Sequence, residues 1–242
     1  MTSQQLSDHV VVLAFDIFGT TVDWRTGVAD QVAEIAAERG VTLDSGAFAD
    51  EWRDCYLPSM ARTRTGERPW VYLDTLHRES LDQLLDDHGI SDAFGEQARR
   101  RLVLAWHRLP AWDDALAGLT RLHTRYILAA LSNGGFALLT HLIRSAGLPF
   151  DCILSAELAR TYKPDPRVYQ TAAALLDLAP SQVMMVAAHG WDITGARAAG
   201  MRTAFLERPA EKGPHRVADR ATEITSDITV AGFAQLAETL GC

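Results

Sequence analysis

The sequence predicts an α/β fold: a doubly wound parallel sheet, Rossmann-like in outline, with a helical cap subdomain inserted after the first strand. Three observations carry this. The segments "HVVVLAFD", "RYILAALS" and "QVMMVAA" are short, unbroken apolar runs that end in small or polar residues, the pattern of strands buried on both faces. From about residue 109 onward such runs alternate with helical periodicity. Between residues 22 and 108 the alternation stops, and only helical patterns remain.

Taken in order, the first strand runs into Asp16 and turns through Gly19-Thr20. Four helices follow, at about 27–39, 44–60, 70–88 and 92–107, with Thr26 and Asp44 as caps of the first two and Gly40 and Gly89 as stops of the first and third. Ala115, Leu116, Leu119 and Leu122 form an apolar helix face before the second strand; Phe136, Leu139, Leu142 and Ile143 form another after it, closed by Gly147. "RTAFLER" reads as a further strand, and "RPAEKGPH" as the one loose stretch. The expected division is a core of residues 1–21 and 109–242 with a cap of residues 22–108.

Composition narrows the function. With 48% apolar residues the chain can pack a sizeable interior, and a formal charge of −8 with pI near 5.4 argues against nucleic acid or anionic membrane as partner. A small anionic substrate stays possible, because it meets local charge. The first nine residues lack the basic start and apolar stretch of a signal peptide, no apolar run has the length of a bilayer span, and Cys55, Cys152 and Cys242 have no metal-type or redox spacing. A soluble cytoplasmic protein with free thiols is expected.

Four groups of polar residues fall at predicted strand ends: Asp16 with Thr20, Ser132 and Asn133 in "LSNGG", Lys163 in "YKPDPRVY", and Asp192 in "AAHGWD". Each has a local explanation as a turn or helix cap, or as a solvated lysine. All of them converge on the carboxyl edge of the sheet, where open α/β folds bind ligands, and a helical cap would close that crevice.

The order Asp-x-x-Gly-Thr, Ser-Asn, Lys-Pro-Asp and Trp-Asp resembles the haloacid dehalogenase superfamily along nearly the whole chain. "LSNGG", "YKPDPRVY" and "WDITGARAAG" are most similar to its L-2-haloacid dehalogenase branch. The resemblance implies a hydrolase of carbon–halide bonds that takes short 2-haloacids (haloacetate, 2-halopropionate), forms an ester on Asp16 and releases a halide ion and a 2-hydroxy acid; a tighter, donor-rich pocket around His189 extends the expectation to fluoroacetate. It implies no cofactor, no metal and a homodimer. Two positions fit that branch. Phosphate-ester hydrolases of the superfamily carry a second aspartate where this chain has Phe18, and a metal carboxylate where it has Ala188. Displacing a halide needs neither.

By matching positions, Asp16, Lys163, Asp192, His189 and Arg53 form the catalytic set, with Lys163 keeping Asp16 ionised and Arg53 reaching substrate and halide. Arg62, Arg64 and Arg68 are rivals for the role of Arg53. Thr20 and Ser132 are expected to hold the substrate carboxylate, Asn133 and Trp191 to complete the halide pocket, Tyr169 to bond near Lys163 or the carboxylate, and Ile17 and Phe18 to contact substrate. Tyr56, Trp70 and Tyr72 are expected to set substrate size. One departure stands out: where the branch has Ser-Ser-Asn, this chain has Ala187, Ala188 and His189. His189, with Asp192, is expected to position or deprotonate the water that opens the ester; a hydrogen-bonded histidine without catalytic part is the other reading. A phosphatase, a hydrolase opening a small cyclic amino acid and a silent small-acid binder remain the alternatives in function.

Overall fold

The computed structural model describes residues 3–242. After helix α1 (Ser3–His9), strand β1 (Val12–Phe15) lies at the middle of a six-stranded, all-parallel sheet in the order β3-β2-β1-β4-β5-β6. The other strands are β2 (Ile127–Ser132), β3 (Cys152–Ser155), β4 (Val183–Ala187), β5 (Arg202–Leu206) and β6 (Ile228–Val230). All four residues of β1 are buried, as expected of a strand covered on both faces. Val12 pairs with Ile127 on one side and Val183 on the other, and Phe15 with Ala130 and Val186, so β1, β2 and β4 end nearly level. The chain winds outward in opposite directions from β1 and β4. That point of reversal, where neighbouring loops part at the carboxyl edge, is where an open α/β sheet leaves a crevice.

Helices α2 (Trp24–Glu38), α3 (Ser45–Asp54), α4 (Tyr56–Arg64), α5 (Leu73–Asp87) and α6 (Glu96–Ala105) fill the interval between β1 and the next core helix, α7 (Ala115–Leu122). They pack on each other, α2 against α3 and α6, and α5 against α4 and α6. The chain leaves and re-enters the sheet region side by side: the Asp23 N–H donates to the Pro110 carbonyl (2.8 Å) and the Trp112 N–H to the Thr21 carbonyl (3.1 Å). The remaining helices are α8 (Phe136–Ala146), α9 (Pro166–Leu175), α10 (Gly190–Ala198) and α11 (Phe233–Thr239). Among the described residues no helix is long and apolar enough to cross a membrane.

Two local expectations change. The single helix expected at 44–60 is two, α3 and α4, broken at Cys55. Pro58 explains the break: it has no N–H to give the Asp54 carbonyl, and its ring crowds the turn before it. The cap of α2 is Asp23, whose carboxylate accepts from the Thr26 N–H (3.0 Å); Thr26 itself lies inside the helix. Asp44 does cap α3, accepting from the Ala47 N–H at 2.9 Å.

Aromatic rings join the helical block to the sheet. Trp106 stacks on Trp24 and meets Trp52 and Phe18 edge-on, while Phe15 packs between Phe150 and Phe233. At Gly118, α7 and α11 approach so closely that an added Cβ would lie 2.2 Å from the Phe233 Cβ. The Gly118→Ala substitution is therefore expected to overpack this contact and destabilise the fold by about 1–3 kcal/mol, read as a lower midpoint in urea unfolding with the unfolding slope unchanged.

Candidate active site

The loop after β1 is built to present Asp16. The sheet ladder runs one residue past the strand, with the Asp16 N–H on the Val186 carbonyl at 2.9 Å, and the Thr21 hydroxyl closes the turn on the Asp16 carbonyl at 2.8 Å. Gly19 sits at φ +86°, the left-handed region that glycine enters without strain, and a Cβ there would also strike the Glu211 carboxylate.

The Asp16 carboxylate is buried, and both of its oxygens are occupied. Oδ1 accepts from Lys163 Nζ (3.0 Å); Oδ2 accepts from the Thr20 hydroxyl (2.9 Å) and faces His189 Nδ1 at 3.0 Å. Burial by itself pushes such a group up, but the charges of Lys163 and His189 outweigh it and hold Asp16 well below the usual carboxylate range. Lys163 is fully buried too, and its ammonium spends its three protons on Asp16, Asp192 Oδ2 and the Leu131 carbonyl. Burial pulls its pKa down, yet the two carboxylates keep it above the ordinary lysine value. Asp192 takes the Tyr169 hydroxyl on its other oxygen at 2.6 Å.

His189 bonds differently from expectation. Its Nε2 faces Glu211 Oε1 at 2.9 Å, and among the described residues the ring has no bond to the Asp192 carboxylate. A carboxylate oxygen can only accept, so a ring with carboxylates at both nitrogens needs a proton on each. The pKa agrees: burial opposes the charge, but Glu211 and Asp16 raise His189 to about 10. Burial likewise opposes charge on Glu211, and His189 nonetheless brings it down to about 2. The Trp24 indole N–H donates to the same Glu211 Oε1 at 2.9 Å.

The other expected site residues gather around this cluster in unequal ways. Thr20 is committed to Asp16 on its donor side and accepts the Ala188 N–H (2.9 Å) on the other, so its hydroxyl positions the carboxylate; a hydrogen bond to a substrate carboxylate would need its one proton to leave Asp16. The fully buried Ser132 hydroxyl accepts the Gly134 N–H. Asn133 Oδ1 accepts the Lys163 backbone N–H at 2.7 Å, which orients the lysine loop. Tyr169 is fully buried and holds Asp192, not Lys163. Trp191 stacks on the His189 ring at 5.6 Å. Ile17 is fully buried, and Phe18 packs edge-on to Tyr56 and Trp106.

Arg53, on α3, lies over the Tyr56 ring (3.9 Å) and near those of Trp24 and Phe18; its Nη1 is buried and has no hydrogen-bond partner among the described residues. Its rivals Arg62 and Arg68 are paired with Glu67 and Glu79. A cavity of about 210 Å³ opens among Arg53, Tyr56, Trp24, His189, Trp191 and Glu211. Trp70 stands apart from it against Tyr162, and Tyr72 is exposed.

Glu211 is the residue the sequence reading passed over. It belongs to "RPAEKGPH", an irregular stretch that is nonetheless anchored at its middle: Glu211 is 2% exposed and Lys212 pairs with Asp219, which in turn accepts the Gly190 N–H, and just beyond the stretch Arg216 forks onto Asp54 of α3 with both bonds at 2.7 Å. The available signal was position, since the stretch directly follows a strand that ends on the ligand-binding edge.

With this geometry in hand, known proteins give a consistent comparison. The family model for haloacid dehalogenase-like hydrolases matches residues 10–200. (S)-2-haloacid dehalogenase 1 of Pseudomonas sp. (strain CBS-3) is 32% identical, over 90% of this chain and 94% of its own. The crystal structure of a defluorinating L-2-haloacid dehalogenase superposes with a TM-score of 0.93 at 43% identity, covering 96% of each chain. That of the L-2-haloacid dehalogenase of Xanthobacter autotrophicus with chloropropionic acid covalently bound gives 0.81 at 25% identity, covering 96% of this chain and 98% of that one.

The raised His189 sets the sign of a pH effect. A histidine near 6.5 when unfolded and about 10 when folded contributes stability that is fully present below pH 6.5 and lost as pH rises through 10. Urea unfolding between pH 7 and 9 should show stability falling with pH more steeply in the wild type than in His189→Asn, by up to about 1.4 kcal/mol per pH unit. Equal slopes in the two proteins would contradict the assignment.

Proposed function

Because the chain belongs to the haloacid dehalogenase-like hydrolases, and within them to the L-2-haloacid dehalogenase branch, we propose that it hydrolyses short 2-haloacids by carboxylate displacement. The observation that carries this reading is Asp16: a buried carboxylate kept ionised by Lys163 and His189, with the His189 ring between it and a small cavity that Arg53 also lines.

Asp16 attacks the carbon bearing the halogen in line with the leaving group. The carbon–halogen bond breaks, the halide departs with its electron pair, and the substrate is left as an ester of Asp16. Water then adds to the ester carbonyl, releasing a 2-hydroxy acid and restoring the carboxylate. A halide leaves as an anion and asks for donors in place of a proton. Arg53, with Nη1 free, is the donor placed to meet it or the substrate carboxylate. Phe18 and Ala188 put apolar side chains where phosphoryl transfer would want an acid and a metal carboxylate, which weighs for the carbon–halide reading.

The substrates we propose are haloacetates and 2-halopropionates, with fluoroacetate among them; support for the last is the likeness to a relative described as defluorinating. The helical block, residues 22–108, acts in this reading as a cap that supplies Arg53 and Tyr56 to a core of residues 1–21 and 109–242. The charge of −8 supports leaving out nucleic acid and anionic membrane as partners, while assembly as a homodimer rests on the family resemblance alone.

Purified protein should release halide from chloroacetate, fluoroacetate and 2-chloropropionate with EDTA present, and Asp16→Asn should lower the rate by on the order of 10³-fold or more. Absence of halide from all three, with phosphate released from a phosphoester when Mg²⁺ is added, would overturn the reading. Arg53→Met, which keeps bulk over Tyr56 but removes the charged donor, should lower kcat/KM by about 10–100-fold in the same assay.

A further inference from the structure

The two oxygens of Asp16 are not equivalent, and their difference bears on the second half of the reaction. We propose that His189 and Thr20 form an oxyanion hole for hydrolysis of the Asp16 ester, with Glu211 as the positioning residue that keeps His189 charged through that step. This rests on the displacement reading above and deepens it.

The argument starts from lone pairs. Each carboxylate oxygen has two in-plane acceptor directions. At Oδ2 two donors arrive, the Thr20 hydroxyl at 2.9 Å and His189 Nδ1 at 3.0 Å; at Oδ1 Lys163 Nζ arrives alone at 3.0 Å. Oδ1 therefore keeps a lone pair for attack, and Oδ2 becomes the carbonyl oxygen of the ester. When water adds to Cγ, a new C–O bond forms and the π pair of Cγ=Oδ2 moves onto Oδ2. Two donors are then already at the 2.7–3.1 Å separation at which an oxyanion is best stabilised. Collapse breaks the Cγ–Oδ1 bond, and Oδ1 leaves as the product hydroxyl with Lys163 beside it. Of the water's two protons one ends on that hydroxyl and the other passes to solvent as Asp16 ionises again.

Both donors are fixed in direction. Thr20 takes the Ala188 N–H on its acceptor side, so its own proton points to Oδ2. His189 has Glu211 behind it, and Glu211 is anchored by the Trp24 indole and packed against Gly19. Esterification removes the charge of Asp16, one of the two carboxylates that keep the imidazole protonated. Glu211 carries no bond to the reacting group, so its charge is the one that stays. The charged groups around this ring are Asp16 at the end of β1, Glu211 and Asp219 from the loop after β5, and Arg53 from α3, which faces Glu211. Asp192, with Lys163 on one oxygen and Tyr169 on the other, has no part in holding it.

The test compares wild type, His189→Gln, Thr20→Val and Glu211→Gln as full-length proteins with chloroacetate, following chloride release before the steady state and the intact mass of the protein. His189→Gln and Thr20→Val should release one equivalent of chloride per site and then slow by about 10²–10³-fold, with protein carrying one carboxymethyl group accumulating. In Glu211→Gln, ¹⁵N NMR of the His189 ring should show the imidazolium losing its proton near neutral pH, where the wild type keeps it through pH 9. Steady-state turnover of Glu211→Gln should fall over the same pH range. Wild type that turns over while His189→Gln and Thr20→Val build up no ester would overturn the oxyanion hole alone, as would a Glu211→Gln whose His189 stays charged. A wild type that releases no chloride would overturn the displacement itself.

Discussion

The structure depends on a row of alternating charges withdrawn from water. Glu211, His189, Asp16, Lys163 and Asp192 follow one another as minus, plus, minus, plus and minus, each within hydrogen-bond distance of the next and each nearly or wholly buried. A single one of these ions in that place would cost several kcal/mol in lost hydration. In the row each interior charge has opposite neighbours on both sides, and the ends are finished by neutral donors, Trp24 on Glu211 and Tyr169 on Asp192. The row is stable as a whole, and removing one member would leave its neighbours buried without balance.

Its construction explains why the fold has the shape it does around this edge. Asp16 comes from the end of β1, the Asn133 that orients the lysine loop from the end of β2, His189 from the turn after β4, Asp192 from the first turn of α10, and Glu211 from the loop after β5. The nearly level ends of β1, β2 and β4 bring the loops that carry these groups to one edge, where consecutive members of the row lie within about 3 Å of each other. Trp24 opens the first helix beyond the sheet, so the helical block is tied to the same row. In the reaction proposed here the charge of Asp16 is the one that comes and goes, and the row's other charges are what let it do so without disturbing the fold.

Most of the architecture is legible in the sequence because it follows from period. Unbroken apolar runs mark strands covered on both faces, and their polar last residues mark the edge where Asp16, Ser132 and Ala187–His189 now lie. What period does not reveal is who bonds to whom across that edge. His189 was read with Asp192, its near neighbour in sequence. In space it turns to Glu211, twenty-two residues on, because Lys163 and Tyr169 already take both Asp192 oxygens. Thr20, expected at the substrate carboxylate, is committed to Asp16, and Tyr169, expected near Lys163 or the carboxylate, reaches the Asp192 that Lys163 holds. Glu211 lay hidden for a different reason: proline and glycine around it signal irregular backbone, and irregular backbone is not the same as loose packing. The Cys55 break shows the reverse, a stop that Pro58 announced and helical periodicity masked.

The loop that carries Glu211 is fastened to α3 by Arg216 on Asp54, at the rim of the cavity and partly in solvent. The row beneath it is held by charges that are almost wholly buried. The mouth is held by charges that water reaches, and pairs of that kind weaken as ionic strength rises. Rising ionic strength therefore loosens the fastening at the rim before it weakens the buried row beneath.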